Sequence, residues 1–219
     1  MLQKIQSIQI TASFVIGFGR GEYLKLGLDG RQKKATFLKE QTMSTPIALV
    51  AGMGRHNRSI GKAGGLLRSV PDDMRRFAAK TIGKPVIMGR KTFESVIALS
   101  GRPLADRPNI VLSRNPAYQH EGAIVCPSLA SALERATAFA PEEIHIGGGP
   151  ELYDQVIDQV DRLYLTLFND DHEGEAKFPS FESAFIEVCR HGVREHQGLE
   201  YEWVDYVRRA NSHGVKRAR

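Results

Sequence analysis

The chain has 219 residues, 42% hydrophobic and 25% charged, a length for one domain or one domain plus an appendage and a composition ordinary for a globular protein. No apolar run approaches the roughly 20 residues that span a bilayer, so no membrane partner is expected. The formal charge of +5 sits at the ends, because residues 1–42 carry seven Lys/Arg against three acids and the last twelve carry five Lys/Arg and no acid, leaving residues 43–207 at −4; a nucleic-acid footprint on the folded part is not supported.

Residues 1–42 read differently from the rest. They contain Gly17, Gly19, Gly21, Gly27 and Gly30 and one short apolar patch, Phe14 to Phe18. The patch is too brief for a signal-peptide core, and no small-residue cleavage site follows it. A transit peptide would be poor in acids, yet Glu22, Asp29 and Glu40 are present. The expectation is a flexible leader, or a stretch upstream of a natural start at Met43. A main domain over 43–208 and a basic tail over 209–219 follow.

From Ile47 onward, short apolar runs alternate with helical patterns. Strands are predicted at Ile47–Ala51, Pro85–Met88, Asn109–Leu112, Ala123–Cys126, Ile144–Gly147 and Leu163–Phe168. Nearly continuous apolar runs of this kind suit strands covered on both faces of a mainly parallel sheet. Helices are predicted at about 72–82, 92–98, 128–140 and 150–158, the first opened favourably by Pro71-Asp72-Asp73. The spans 183–194 and 200–208 read as an antiparallel pair at the sheet edge, joined by Gln197-Gly198. The fold class is α/β, a twisted sheet of about eight strands flanked by about four helices.

Three strand ends carry anion-binding chemistry. The stretch Lys84-Pro85-Val86-Ile87-Met88-Gly89-Arg90-Lys91-Thr92-Phe93-Glu94-Ser95 runs from a buried strand into a helix near Thr92. A helix N-terminus presents unpaired N–H groups and a positive dipole, and Arg90 and Lys91 add charge. Ile146-Gly147-Gly148-Gly149-Pro150 lets the backbone approach a pyrophosphate closely, although it is not the G-x-G-x-x-G fingerprint. Ser113-Arg114-Asn115-Pro116 again places an arginine after a buried strand. Each turn alone reads more readily as a solvated or merely tight connection. Together they suggest a nucleotide lying across the carboxyl edge of the sheet, with the reaction open.

Ordered motifs narrow that reading. Ile60-Gly61-Lys62, Val70-Pro71-Asp72-Asp73-Met74 with Phe77, the Pro85–Ser95 stretch, Gly101-Arg102-Pro103-Leu104, Asn109–Arg114, the triple glycine with Tyr153, Leu163-Tyr164-Leu165-Thr166 and Glu173–Pro179 occur in sequence. In this set and order the chain from about Pro46 to Arg208 resembles the dihydrofolate reductase family. The resemblance implies NADPH-dependent reduction of dihydrofolate to tetrahydrofolate, with dihydrofolate and NADPH as the partners and a monomeric state. It makes Asp73 the pocket acid that binds the pterin's 2-amino group and N3, with Thr166 bonded to it and Tyr153 near the nicotinamide and pterin. A carboxylate on that edge makes a charge-assisted contact that orients the ring. Phe77, four residues on and so on the same helix face, packs on the substrate, Leu104 lies beside it, and Arg107 clamps the glutamate carboxylate. Ile60, Gly61, Gly89, Arg90, Lys91, Thr92, Ser113, Arg114, Gly147, Gly148, Gly149 and Tyr153 are implied around NADPH.

The chain departs from the family at several points. Leu66-Leu67-Arg68 replaces a pattern that ends in tryptophan, so slower chemistry or altered loop closure is expected. Ile97-Ala98-Leu99-Ser100 reads as an insertion, and Pro150 as an extra residue after the glycines. Asp72 reads as a helix N-terminal acid and Trp203 as sheet-edge packing. Cys126 and Cys189 have no metal-type spacing and read as reduced thiols of a cytoplasmic protein. No metal site is expected, including at His191 and His196. A related pyrimidine reductase is disfavoured by Asp73, Phe77 and Arg107, while an inactive binder draws its only support from Arg68.

Overall fold

The computed structural model describes residues 13–17, 22–29, 32–39, 45–62 and 65–209. Contacts divide the chain into two units at Ser44/Thr45. In the first, β1 (Ser13–Gly17), β2 (Glu22–Asp29) and β3 (Gln32–Lys39) form an antiparallel sheet in chain order. Asp29 pairs with Gln32, and the intervening sequence starts with glycine, a strong hairpin signal after Asp. Leu24, Leu26 and Leu28 alternate with Lys25, Gly27 and Asp29, a strand period that the reading of a flexible leader left unused.

The second unit begins with β4 (Ile47–Gly54), β5 (Ser59–Lys62) and β6 (Gly65–Leu66), then α1 (Pro71–Thr81), β7 (Val86–Gly89), α2 (Arg90–Ser100), β8 (Asn109–Leu112) and β9 (Ala123–Cys126). It continues with α3 (Leu129–Thr137), β10 (Ile144–Gly148), α4 (Pro150–Val156), β11 (Arg162–Phe168), β12 (Ala176–Lys177), β13 (Phe185–His196) and β14 (Leu199–Arg208). Eight strands make the main sheet in the order β13-β14-β11-β4-β10-β7-β8-β9. The six from β11 to β9 are mutually parallel. Antiparallel pairing enters at β14 and again at β13, as expected for the C-terminal pair.

Both sheet faces are covered, which explains the unbroken apolar strands. Leu49, Ile87, Ile110, Ile146 and Leu165 join Ala132 and Ala136 of α3 and Leu152 and Val156 of α4 in the larger core. On the other face Val86, Met88 and Val111 pack with Phe93 of α2. The helix ends follow local chemistry. Ser128 and Ser131 form a reciprocal capping box on α3, satisfying donors that a helix start leaves open.

Several boundaries differ from the sequence reading. Helix α2 starts at Arg90 with Gly89 as its extended cap, so Arg90, Lys91 and Thr92 form its first turn. Its end is fixed by Gly101 at φ +73°, the left-handed residue that stops helices. Ile97–Ser100, read in the sequence as an insertion, forms the last turn of α2 and leaves Leu99 75% exposed. Gln197 and Gly198 both have positive φ, as a two-residue type I′ hairpin requires. The small sheet β12-β5-β6 escaped sequence reading because its strands are very short and rich in glycine. Trp203 lies on β14, one strand in from the edge, with the Arg194 guanidinium 3.8 Å and that of Arg76 5.2 Å from its ring centroid.

Candidate active site

The carboxyl ends of the parallel strands assemble the site. Asp73, in the first turn of α1, accepts a hydrogen bond from the Thr166 hydroxyl on β11. Thr166 pairs in register with Gly52 of β4, and Gly52 is where the carboxylate meets the sheet. A methyl built on Gly52 would lie 3.3 Å from Asp73 Oδ2 and 2.7 Å from Phe168 Cε2. Burial raises the Asp73 pKa above the usual carboxylate range, opposed by the Thr166 bond and the positive charge of Arg76. A proton is thereby retained to higher pH than on a solvated aspartate.

Tyr153, buried on α4, sends its hydroxyl towards the Val50 carbonyl at 3.5 Å. Burial, reinforced by the charge of Asp73, keeps the phenol protonated well beyond its ordinary range. The same hydroxyl is 3.3 Å from the position a methyl on Gly148 would take, so Tyr153 connects the Asp73 side of the site to the glycine turn. Phe77 packs against the smaller core, and its ring tip is 3.8 Å from a methyl built on Gly147.

Sequence-distant turns meet at the glycines. Gly148 has φ +121°, and the Gly148–Gly149 peptide is cis. A methyl on Gly149 would fall 2.9 Å from Thr92 Oγ1, and one on Gly148 3.2 Å from Thr92 Cγ2. One on Gly89 would be 3.9 Å from both Gly148 O and Gly149 N. The start of α2 and the turn after β10 therefore form one cradle that side chains would fill. Pro150 is the first residue of α4 and Gly149 its cap.

At the outer end, Arg90 forks onto Glu94 at 2.9 and 3.0 Å, and its guanidinium lies 5.9 Å from the Tyr118 ring centroid. Lys91 and Arg114 are exposed. Ser113 is buried at the end of β8 and borders a cavity of about 760 Å³ shared with Asn115, Tyr118 and Val125. Ile60 and Gly61 lie on β5 instead. Ile60 packs on the larger core, while Gly61 is pressed between Gly65 and Gly174 with no room for a methyl.

The Leu104–Arg107 segment is held by its own hydrogen bonds. Arg107 donates to the Ala105 carbonyl at 2.8 Å and to the Thr81 hydroxyl. Asn109 donates to the carbonyls of Leu104 and Arg107 at 2.9 and 3.0 Å and accepts from the Leu104 N–H at 3.1 Å. Sequence reasoning missed Asn109, Thr81, Gly52 and Arg76. Asn109 did carry a signal, as the polar residue opening an otherwise apolar strand, and Arg76 follows Asp73 at helical spacing. Asp72, read as a helix N-terminal acid, pairs with Arg75 and accepts from the Tyr201 hydroxyl at 3.2 Å.

Arg68 is drawn away to the segment after β11, where it pairs with buried Asp170 and lies 2.9 Å from His172 Nδ1. Among the described residues no helix is long and apolar enough to cross a membrane, and no cluster of His, Cys, Asp or Glu could hold a metal ion.

A buried aspartate and a glycine cradle at the carboxyl edge of a mainly parallel sheet fit the place where α/β nucleotide-binding proteins take their ligands. The family model described as dihydrofolate reductase matches residues 46–208. Among characterised proteins, the chain is 46% identical over 135 residues to dihydrofolate reductase type 3 of Salmonella typhimurium, covering 62% of this chain and 79% of that protein. It is 35% identical over 159 residues to the dihydrofolate reductase of Bacillus subtilis strain 168, covering 71% and 91%. The structure of dihydrofolate reductase from Enterococcus faecalis complexed with NADP(H) and RAB-propyl superposes with a TM-score of 0.68 at 31% identity, over 76% of this chain and 98% of that one. The chain belongs to the dihydrofolate reductase family. It is an NADPH-dependent oxidoreductase that reduces 7,8-dihydrofolate to 5,6,7,8-tetrahydrofolate.

Proposed function

We propose that Asp73 holds the pterin, Arg107 the glutamate tail, and the Thr92–Gly149 cradle the NADPH pyrophosphate. The hydrogen bond from Thr166 to Asp73 carries this reading, because it fixes one carboxylate at the edge where the cradle opens. Asp73 binds the 2-amino and N3 edge of the pterin and favours its protonated form, with water as the immediate proton donor to N5. Phe77 and Leu104 supply apolar contact for the ring system and the linker to the tail. Tyr153 excludes water between the pterin and the cradle and directs its hydroxyl at a backbone carbonyl rather than at the substrate.

Gly148 and Gly149 leave the space a pyrophosphate needs, and the first turn of α2 directs its free N–H groups there. When bound, NADPH supplies the hydride. Arg90, Lys91, Ser113 and Arg114 surround the 2′-phosphate and set the preference for NADPH over NADH, with Ile60 and Gly61 on the nicotinamide side. The reductase unit is the part from Thr45 to Arg208, and residues 1–42 are a leader dispensable for the reaction. The protein acts as a monomer in the cytoplasm, with its two cysteines reduced.

The test is NADPH oxidation by the full chain with dihydrofolate, beside Asp73→Asn. The variant is expected to lose about 10²–10⁴ in kcat/KM while binding NADPH as the parent does. Turnover within tenfold of the parent would overturn the role of Asp73.

A further inference from the structure

Beneath the pocket acid lies a second charged group that the reaction as described leaves unused. Arg76 follows Asp73 by three residues on α1, so the two share a helix face. Its side chain is only 7% exposed. One guanidinium nitrogen donates to the Leu165 carbonyl at 2.8 Å, and the other pairs with Asp205 of β14. Leu165 immediately precedes Thr166, the residue that holds Asp73. A buried guanidinium is costly, and replacing a buried ion pair such as Arg76–Asp205 by apolar side chains of similar volume is often neutral or stabilising. Its placement against the backbone of Thr166 therefore calls for a reason beyond packing.

We propose that Arg76 is a positioning residue for the reduction, a fixed buried cation that favours the anionic form of Asp73 and pegs β11 so that Thr166 stays within its reach. The proposal rests on Asp73 being the pocket acid. Arg76 and Asp73 are electrostatically coupled, and Arg76 offsets part of the burial that raises the proton affinity of Asp73.

The surrounding charges are few. Lys80 of α1 lies 3.3 Å and His191 of β13 3.4 Å from Asp205 Oδ2. Tyr164 of β11 lies beneath the Lys80 ammonium, 3.8 Å from its ring centroid. Tyr153 of α4 and Tyr201 of β14 interact electrostatically with Asp73 itself. Of these groups, Arg76 is the cation that acts on Asp73 directly. Asp205 screens that charge, so the pair sets the proton affinity of the pocket acid between two extremes.

The experiment follows the Asp73 carboxyl by 13C NMR titration in the full-length protein and, separately, the pH profile of kcat/KM. Asp205→Asn leaves the cation unopposed and is expected to lower the Asp73 midpoint. Arg76→Met with Asp205→Asn removes the charge without stranding an acid and is expected to raise it by roughly one unit. Arg76→Lys keeps the charge and is expected to stay near the parent. Opposite shifts in the first two variants, followed by the kcat/KM profile, establish the role. Unchanged midpoints, or shifts in the same direction, overturn it and leave Arg76 as packing. Should the double variant not fold, Asp205→Asn and Arg76→Lys decide alone: a lowered midpoint in the first with a parental one in the second supports the proposal, and any other pair of results overturns it. If the midpoints move and the rate profile does not follow, the role of Arg76 in the reduction is overturned together with the assignment of Asp73 as the pocket acid.

Discussion

Gly52→Ala adds one methyl group where the sheet meets the pocket acid. That methyl falls 2.7 Å from the Phe168 ring edge and 3.3 Å from Asp73 Oδ2. Phe168 is 1% exposed and packed between Val70 and Tyr201, so its ring cannot swing into solvent. Overpacking of this kind costs about 1–3 kcal/mol. Phe168→Leu on its own opens space and costs about 1–2 kcal/mol. In the double variant the added methyl enters the space that the ring vacates. The cost of the double variant should then fall short of the sum of the two single costs by at least about 1 kcal/mol. Urea unfolding of all four proteins measures this from the midpoints, provided the slopes agree. Since the methyl also crowds the carboxylate, KM for dihydrofolate should rise in Gly52→Ala and recover in the double variant. Costs that add to within about 0.5 kcal/mol would refute the contact and the argument that Gly52 makes room for Phe168 and Asp73.

Three further variants extend these predictions. Thr166→Val removes the donor to Asp73, a bond to a charged group worth about 1.5–3 kcal/mol, so kcat/KM should fall roughly ten- to hundredfold with NADPH affinity intact. Thr166 holds the Asp73 pKa down, and the reaction consumes a proton. The alkaline limb of the pH profile should therefore move to higher pH in the same variant. Gly148→Ala places a side chain at φ +121° and 3.2 Å from Thr92; strain of about 1–3 kcal/mol should weaken NADPH binding roughly tenfold in a fluorescence titration, with little change for dihydrofolate. Arg68, first among the causes, holds the Asp170 carboxyl well below the usual carboxylate range. Its contribution is present above an unfolded pKa of about 3.9 and lost as pH falls through the folded value. Asp170→Asn should accordingly lower the urea midpoint near pH 7 and converge with the parent in strong acid.

Much of this architecture was legible because burial on both faces imposes a simple pattern. The strand Asn109–Leu112 was read to the residue, and the alternation of strands and helices led directly to the parallel sheet. Helix starts were harder to place. Gly89 is extended and looks like a strand end, yet it caps a helix whose first residue is Arg90. Candidate site residues were legible where one residue stands in a motif, and the structure brings Asp73 and Thr166 together as that reading expects. The site was not legible where function depends on a missing atom or on a partner far along the chain. Gly52 matters through the space it leaves beside Phe168, more than a hundred positions away. The bond between Arg68 and Asp170 joins residues 102 positions apart, and no local period records it.

The Asn109 side chain has a consequence for inheritance. It bolts the Leu104–Arg107 segment to the first residue of β8, whereas the pocket acid hangs from α1, β4 and β11. Under the proposed assignment, the two ends of one substrate are recognised by separate pieces of scaffold. Selection by a drug that mimics only the ring would then redraw the piece that carries Asp73 and leave the Arg107 segment as it stands.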